Sequence, residues 1–163
     1  MASRTAWVAG LGTGFTWAQA IASSQMVSMV NGNSVLDTTD ITNQTALDIF
    51  ADVSISLAIA SSTIVAGANI AIWLAALNQD GTTYGDNKIV TTAGGSAISP
   101  SYAPIAVIPC FAAAAQTTII GNALGLVIPP GTFRWAMQNN SGFTLTAGAQ
   151  PIKYRTYNTN LNA

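Results

Sequence analysis

The sequence has no histidine and no glutamate, a single cysteine, and little charge of either sign. Without His there is no Ser-His-Asp or Cys-His relay, no usual general base, and few of the ligand sets that hold zinc. Without Glu, the side-chain carboxylates are the six aspartates Asp37, Asp40, Asp48, Asp52, Asp80 and Asp86. Cys110 alone cannot close an intrachain disulfide. Its setting, VIPCF, is that of a small buried hydrophobe rather than a reactive thiol. Charged residues make up 7% of the 163 positions, against about 25% in ordinary domains. The five bases are Arg4, Lys88, Arg134, Lys153 and Arg155, the net charge is −1, and nothing charged lies between Lys88 and Arg134. A nucleic-acid footprint needs several bases on one surface, and only Lys153 and Arg155 cluster, so nucleic acid is not expected as a partner.

What the chain does have is apolar side chains, half of all positions, with a mean hydropathy of +0.40. The length is that of one domain able to bury a core. A lone monomer is poorly served by so uncharged a surface, so either partners cover it or lipid does. Residues 57 to 77, LAIASSTIVAGANIAIWLAAL, carry no charge and are long enough for a membrane helix. Their flanks are Asp48, Asp52 and Asp80, so the positive flank is missing. Ser61, Ser62 and Thr63, then Ala66-Gly67-Ala68-Asn69, break the run with turn chemistry.

A period of two replaces the helix. Leu47, Ile49, Val53, Ile55, Leu57 and Ile59 fall on one parity, with Asp48, Asp52, Ser54 and Ser56 on the other. Ile70, Ile72 and Leu74 alternate with Ala71, Trp73 and Ala75. Two antiparallel strands joined by a polar loop follow, and no membrane is expected. The period recurs in IAVIPCF, in LGLVI (Leu124, Leu126 and Ile128 on one face), in TFRWAMQ (Phe133, Trp135 and Met137), and through Ile152, Tyr154 and Thr156. Pro129-Pro130-Gly131 and Asn139-Asn140-Ser141-Gly142 punctuate these runs as turns. Short strands at regular spacing predict an all-β sandwich or barrel.

Residues 1 to 24 are loosened by glycine and carry Trp7 and Trp17. They are too rich in Gly and Thr for a signal peptide's apolar region and are expected in the mature chain. We read them as an extended N-terminal arm before a single β-sandwich domain over 25–163. A first strand completing the domain's own sheet is the alternative.

Among the acids, Asp37 with Asp40, and Asp80 with Asp86, lie too sparsely for a calcium loop and are expected as turn and cap residues. Nothing marks them as a glycosidase pair. No metal or other cofactor is expected. Lys153 and Arg155, two apart on a strand, project from one sheet face, where a basic strip can meet an acidic partner. Trp73 opposes the Ile70/Ile72 face and is expected exposed or at an interface, whereas Trp135 is expected in the core. Trp7, Trp17, Trp73, Trp135 and Tyr84 are also candidates for a sugar-binding surface. Asn43-Gln44-Thr45 and Asn139-Asn140-Ser141 match glycosylation sequons that arise by chance in an Asn- and Thr-rich chain.

The order of these features resembles the jelly-roll head decoration (cement) proteins of tailed bacteriophages. The resemblance runs over residues 12 to 157. It rests on Thr16-Trp17-Ala18-Gln19, the alternating strand 47 to 59, Ala66-Gly67-Ala68 before IAIWLAAL, and Asp80-Gly81-Thr82-Thr83-Tyr84. Later come Pro129-Pro130-Gly131-Thr132-Phe133 and Asn139-Asn140-Ser141-Gly142-Phe143-Thr144-Leu145. It implies a virion structural protein, assembled in the host cytoplasm, with no catalysis to perform. Such a protein stabilises a shell by burying surface across capsomer junctions. Its partners would be the major capsid protein and copies of itself, with a trimer favoured over a dimer. Trp7, Trp17, Trp73, Lys153, Arg155 and the charge-free span 89 to 133 are the expected contacts. A carbohydrate- or receptor-binding β-sandwich of a phage tail or surface structure is the second reading.

Overall fold

A computed structural model describes residues 4–9, 15–111, 113–146 and 152–162. The described residues form β1 (Arg4–Ala9), β2 (Ala18–Ile21), helix α1 (Ser23–Met26), β3 (Ser34–Leu36), β4 (Ile41–Asn43) and β5 (Phe50–Ser62). After these come β6 (Asn69–Ala76), β7 (Ala106–Pro109), β8 (Gln116–Val127), β9 (Gly131–Asn140) and β10 (Ile152–Asn162). The protein is all-β, with two antiparallel sheets and one four-residue helix among the described residues.

The first sheet runs β1-β10-β5-β8, with β2 also on β10; the second runs β3-β9-β6-β7, with β4 also on β9. The pairing is nested: β1 and β2 return to β10, β3 and β4 to β9, β5 to β8, and β6 to β7. The inner faces of both sheets share one core, in which Val53, Ile55 and Leu57 meet Ile70, Ile72, Phe133, Trp135 and Met137.

The expected period of two holds along most of β5, where Val53, Ile55, Leu57 and Ile59 are buried. It does not extend upstream. Leu47 and Ile49 are 54% and 48% exposed, and Leu47 has a positive φ of 47°. Asp48 is the buried residue there, its amide donating to Asn43 Oδ1 at 2.7 Å. The uncharged run 57 to 77 is divided between the sheets, the end of β5 in the first and β6 in the second, with the Gly67 turn (φ +89°) between them. Among the described residues no helix is long and apolar enough to cross a membrane.

Two expectations change. Trp73 does point away from Ile70 and Ile72, but it is only 4% exposed. The long connection from β6 to β7 folds back over the outer face of the second sheet. It builds a second cluster in which Trp73 packs with Leu36, Ala71, Ala75, Tyr84 and Ala136. The indole Nε1–H donates to the Tyr102 carbonyl at 2.9 Å. Trp73 is therefore buried in the folded chain rather than exposed as its outward parity suggests. At the N-terminus, Arg4–Ala9 pairs with β10 in register from Arg4↔Asn162 to Ala9↔Tyr157, and Ala18 lies opposite Tyr154. Over its described part the segment read as an arm is thus hydrogen-bonded into the chain's own first sheet, which satisfies backbone groups that β10 would otherwise leave unpaired.

Candidate functional site

The outer face of the first sheet gathers three of the residues singled out from sequence. On β10, Lys153, Arg155 and Tyr157 alternate outward opposite Ser54, Asp52 and Phe50 of β5. Arg155 grips the Asp52 Oδ2 atom through Nε at 2.9 Å and Nη2 at 2.8 Å. Asp52 Oδ1 accepts from the Tyr157 hydroxyl at 2.9 Å and the Gly125 amide at 3.0 Å. The carboxylate is 4% exposed and takes all these donors at once, which makes a partly buried charge tolerable. Burial, then the hydrogen bond to Asp52, pushes the Tyr157 phenol above its ordinary 10.0.

Aromatic rings surround this ion pair. The Arg155 guanidinium lies 4.9 Å from the centroid of the Trp17 ring, and Trp17 is 39% exposed. Phe50 stacks on Tyr157 at 5.8 Å between centroids, and Phe15 leans on it from 6.4 Å. Phe15, Asp52, Arg155 and Tyr157 line an open cleft of about 400 Å³. The arrangement offers aromatic faces around one anchored cation.

The face continues across β5 onto β8. There the register with β5 slips between Ala51/Val53, so Asp52 faces an extra residue of β8. This is a β-bulge, made possible by Gly125 at φ +67°. The bulge overturns the expected common face of LGLVI. Leu124 points outward at 69% exposure, Leu126 packs against the core, and Ile128 is buried. With Ile120 (69%) and Val127 (65%), Leu124 forms an exposed aliphatic strip beside the ion pair.

On the second sheet's side, Arg134 Nε meets Asp40 Oδ1 at 2.6 Å, the Tyr84 hydroxyl donates to the same oxygen at 2.7 Å, and the guanidinium lies 4.1 Å from the Tyr84 ring centroid. The Tyr84 hydrogen bond, with help from Arg134, outweighs partial burial and holds the Asp40 carboxyl below its ordinary 3.8. Asp40 is thus an ion-pair residue and not the turn or cap residue expected, whereas Asp37 and Asp80 cap turns, accepting from the Thr39 amide and from Thr82 and Thr83. Asp86 accepts from the Lys88 amide and, across the loop, from the Ser101 amide, and Asp48 accepts from Asn158. Among the described residues no group of three His, Cys, Asp or Glu is placed to hold a metal ion. Both sequon asparagines are buried, Asn43 at 1% and Asn139 at 0% exposure, and their amides bond backbone groups. In the folded chain neither can receive a glycan.

Of the residues singled out beforehand, Trp17, Lys153 and Arg155 come together on one face, and Trp73 lies elsewhere in a core. The Trp7 side chain lies outside the described residues, although its backbone pairs with Thr159. Phe15, Asp52 and Tyr157 were not singled out, whereas the β8 strip lies within the charge-free span 89 to 133. The outward parity of Asp52 on β5 was a legible signal; the bulge that brings Gly125 to it left none. Comparison of the chain with protein-family models, with curated proteins and with solved structures finds no match in any of the three.

Proposed function

We propose that this chain is a non-catalytic virion structural protein, a jelly-roll subunit that decorates and stabilises a phage head. The strand order supports the jelly-roll reading. Taking β1 with β2 and β3 with β4, eight strands nest first-to-last into two four-stranded sheets, the arrangement of a long hairpin rolled on itself. Viral capsid and lectin domains both use it.

The observation that carries the functional reading is the outer face of the first sheet. Ile120, Leu124, Val127 and Trp17 stand exposed beside an anchored arginine, in a chain with 7% charged residues. Interfaces have such apolar and aromatic centres with charge moved to the rim. Burying about 1,000 Å² of apolar surface gives a gross term of roughly 25 kcal/mol before ordering costs reduce it. Repeated over a shell, a small net gain per copy resists pressure from packaged DNA. The resemblance in turn motifs supplies the phage head as the partner, and β1 with Trp7 is the N-terminal element we place against it.

The test is co-sedimentation of the purified protein with undecorated heads, followed by heating of the decorated particles. Binding that raises the temperature of head disruption supports the reading; a protein left in the supernatant at every ratio rejects it. The cleft between Phe15, Tyr157 and Arg155 favours a second reading, the binding of a sugar or receptor. Retention on a glycan array, with no binding to heads, would select it.

A further inference from the structure

β8 is an edge strand. Among the described residues it pairs only with β5, so its far side presents unpaired backbone donors and acceptors. Native sheets guard such edges with lysine, proline, inward charge or a bulge. Thr118–Ala123, the part in unbroken register with β5, has no charge and no proline; the register breaks before it, toward Gln116, and after it, at the bulge of Leu124 and Gly125. The adjoining edge of the second sheet is β7, and the two edges are locked together: Gly121 of β8 leaves the space that Ile108 of β7 fills. Val107 (54% exposed) and Phe111 (78%) extend the apolar surface along that side.

We infer that this double edge joins a second copy of the chain, β8 to β8, antiparallel about a twofold axis passing beside Ile120. An edge strand meets its own copy antiparallel with matched donors and acceptors, so the contact is self-complementary. A twofold contact also sets residues at the axis against their own copies, where a charge would meet its like. The absence of charge between Lys88 and Arg134 removes that repulsion and removes any electrostatic reason to select a different partner. Ile120, 69% exposed at the middle of the regular stretch, then packs on Ile120 of the second copy, with Thr118 facing Asn122. The unbroken stretch is roughly 20 Å long at about 3.3 Å per residue, and a two-layer edge is about 20 Å wide. About 400 Å² per copy results, somewhat under the roughly 1,000 Å² total that a specific interface needs. The dimer is therefore weak and concentration-dependent when free. The inference deepens the structural reading and rests on it in taking association as the chain's work.

Sedimentation equilibrium over a wide concentration range tests it, with Ile120→Lys as the variant and Val65→Lys, on the β5–β6 turn and 60% exposed, as the control. The wild type and the control should pass from about 16.7 kDa to twice that mass, while Ile120→Lys stays monomeric with an unchanged circular dichroism spectrum. A wild type that is monomeric throughout, or trimeric, overturns the inference, and so does a variant that dimerises like the wild type. Head co-sedimentation separates the two ideas. A dimer lost in Ile120→Lys but indifferent to heads defeats the decoration reading alone, and a monomer that binds heads defeats the pairing alone.

Discussion

The amide of Gly125 donates to the carboxylate of Asp52 at 3.0 Å, and around this bond β8 changes the face to which its side chains point. One hydrogen bond thus links the exposed strip on β8 to the ion pair of β5 and β10. An Ala at 125 must hold a φ of +67°, which costs about 1–2 kcal/mol for a residue with a Cβ. Gly125→Ala should lower stability by that amount and Gly125→Asn by less, as read from urea denaturation midpoints.

Asp52→Ala removes the acceptor for Arg155, Tyr157 and Gly125 together. Arg155 keeps partial access to water, so the loss should be about 2–3 kcal/mol, below that of a fully buried pair. Asp52→Asn should recover only part of it, because the amide cannot accept from the whole donor set. Denaturation of the three proteins side by side checks the order.

Asn139→Ala should be among the most destabilising single changes. The buried amide donates to the Met29 and Phe143 carbonyls and accepts from the Ser141 amide. Removing it strands groups that cost about 1–3 kcal/mol each. A total of about 3 kcal/mol or more is expected from urea denaturation. Mass spectrometry of the wild type from a glycosylating host should show no glycan at Asn139 or Asn43.

Acid stability carries a sign set by Asp40, Asp80 and Asp86, whose carboxyls are all held below 3.8 in the fold, Asp80 at about 2. A depressed acid contributes stability that is present above the unfolded value and lost as pH falls through the folded one. Unfolding midpoints should therefore be flat near neutrality and fall from about pH 4 toward about pH 2. The Asp40 side chain is 47% exposed, so Asp40→Asn should flatten the slope only slightly.

Cys110 is 7% exposed, and burial pushes its thiol above its ordinary 9.0. It should react with a thiol reagent at mildly alkaline pH only as fast as the fold opens, and at once in denaturant. Fast labelling of the native protein would contradict this placement.

Trp17→Ala should cost the free chain no more than about 1 kcal/mol, because the Trp17–Arg155 contact is half exposed. Attachment to heads should weaken by more than that. An equal effect on folding and attachment would mean that Trp17 serves the fold alone.

The sequence by itself determined the period of two, and with it the strands, because pleating sends neighbouring side chains to opposite faces whatever lies beyond them. Phe133, Trp135 and Met137 are at 0% exposure as that rule requires. Pro129-Pro130-Gly131 and Asn139-Asn140-Ser141-Gly142 mark turns, with positive φ at Gly131 and Gly142. The sparse charge and the missing histidine were equally plain. Tertiary structure decided what covers each outward face, since that depends on segments far away in the chain. Trp73 sits on the outward parity, yet the connection from β6 to β7 closes over it and Tyr102 takes its N–H. Leu124 sits on the parity of Leu126 and Ile128, yet one bulge, held by a carboxylate far upstream in sequence, turns it to the surface. The N-terminal strands joined β10 because its edge offers backbone partners and because Ala20 and Ile21 of β2 enter the shared core, a placement that depends on strands far away in the chain.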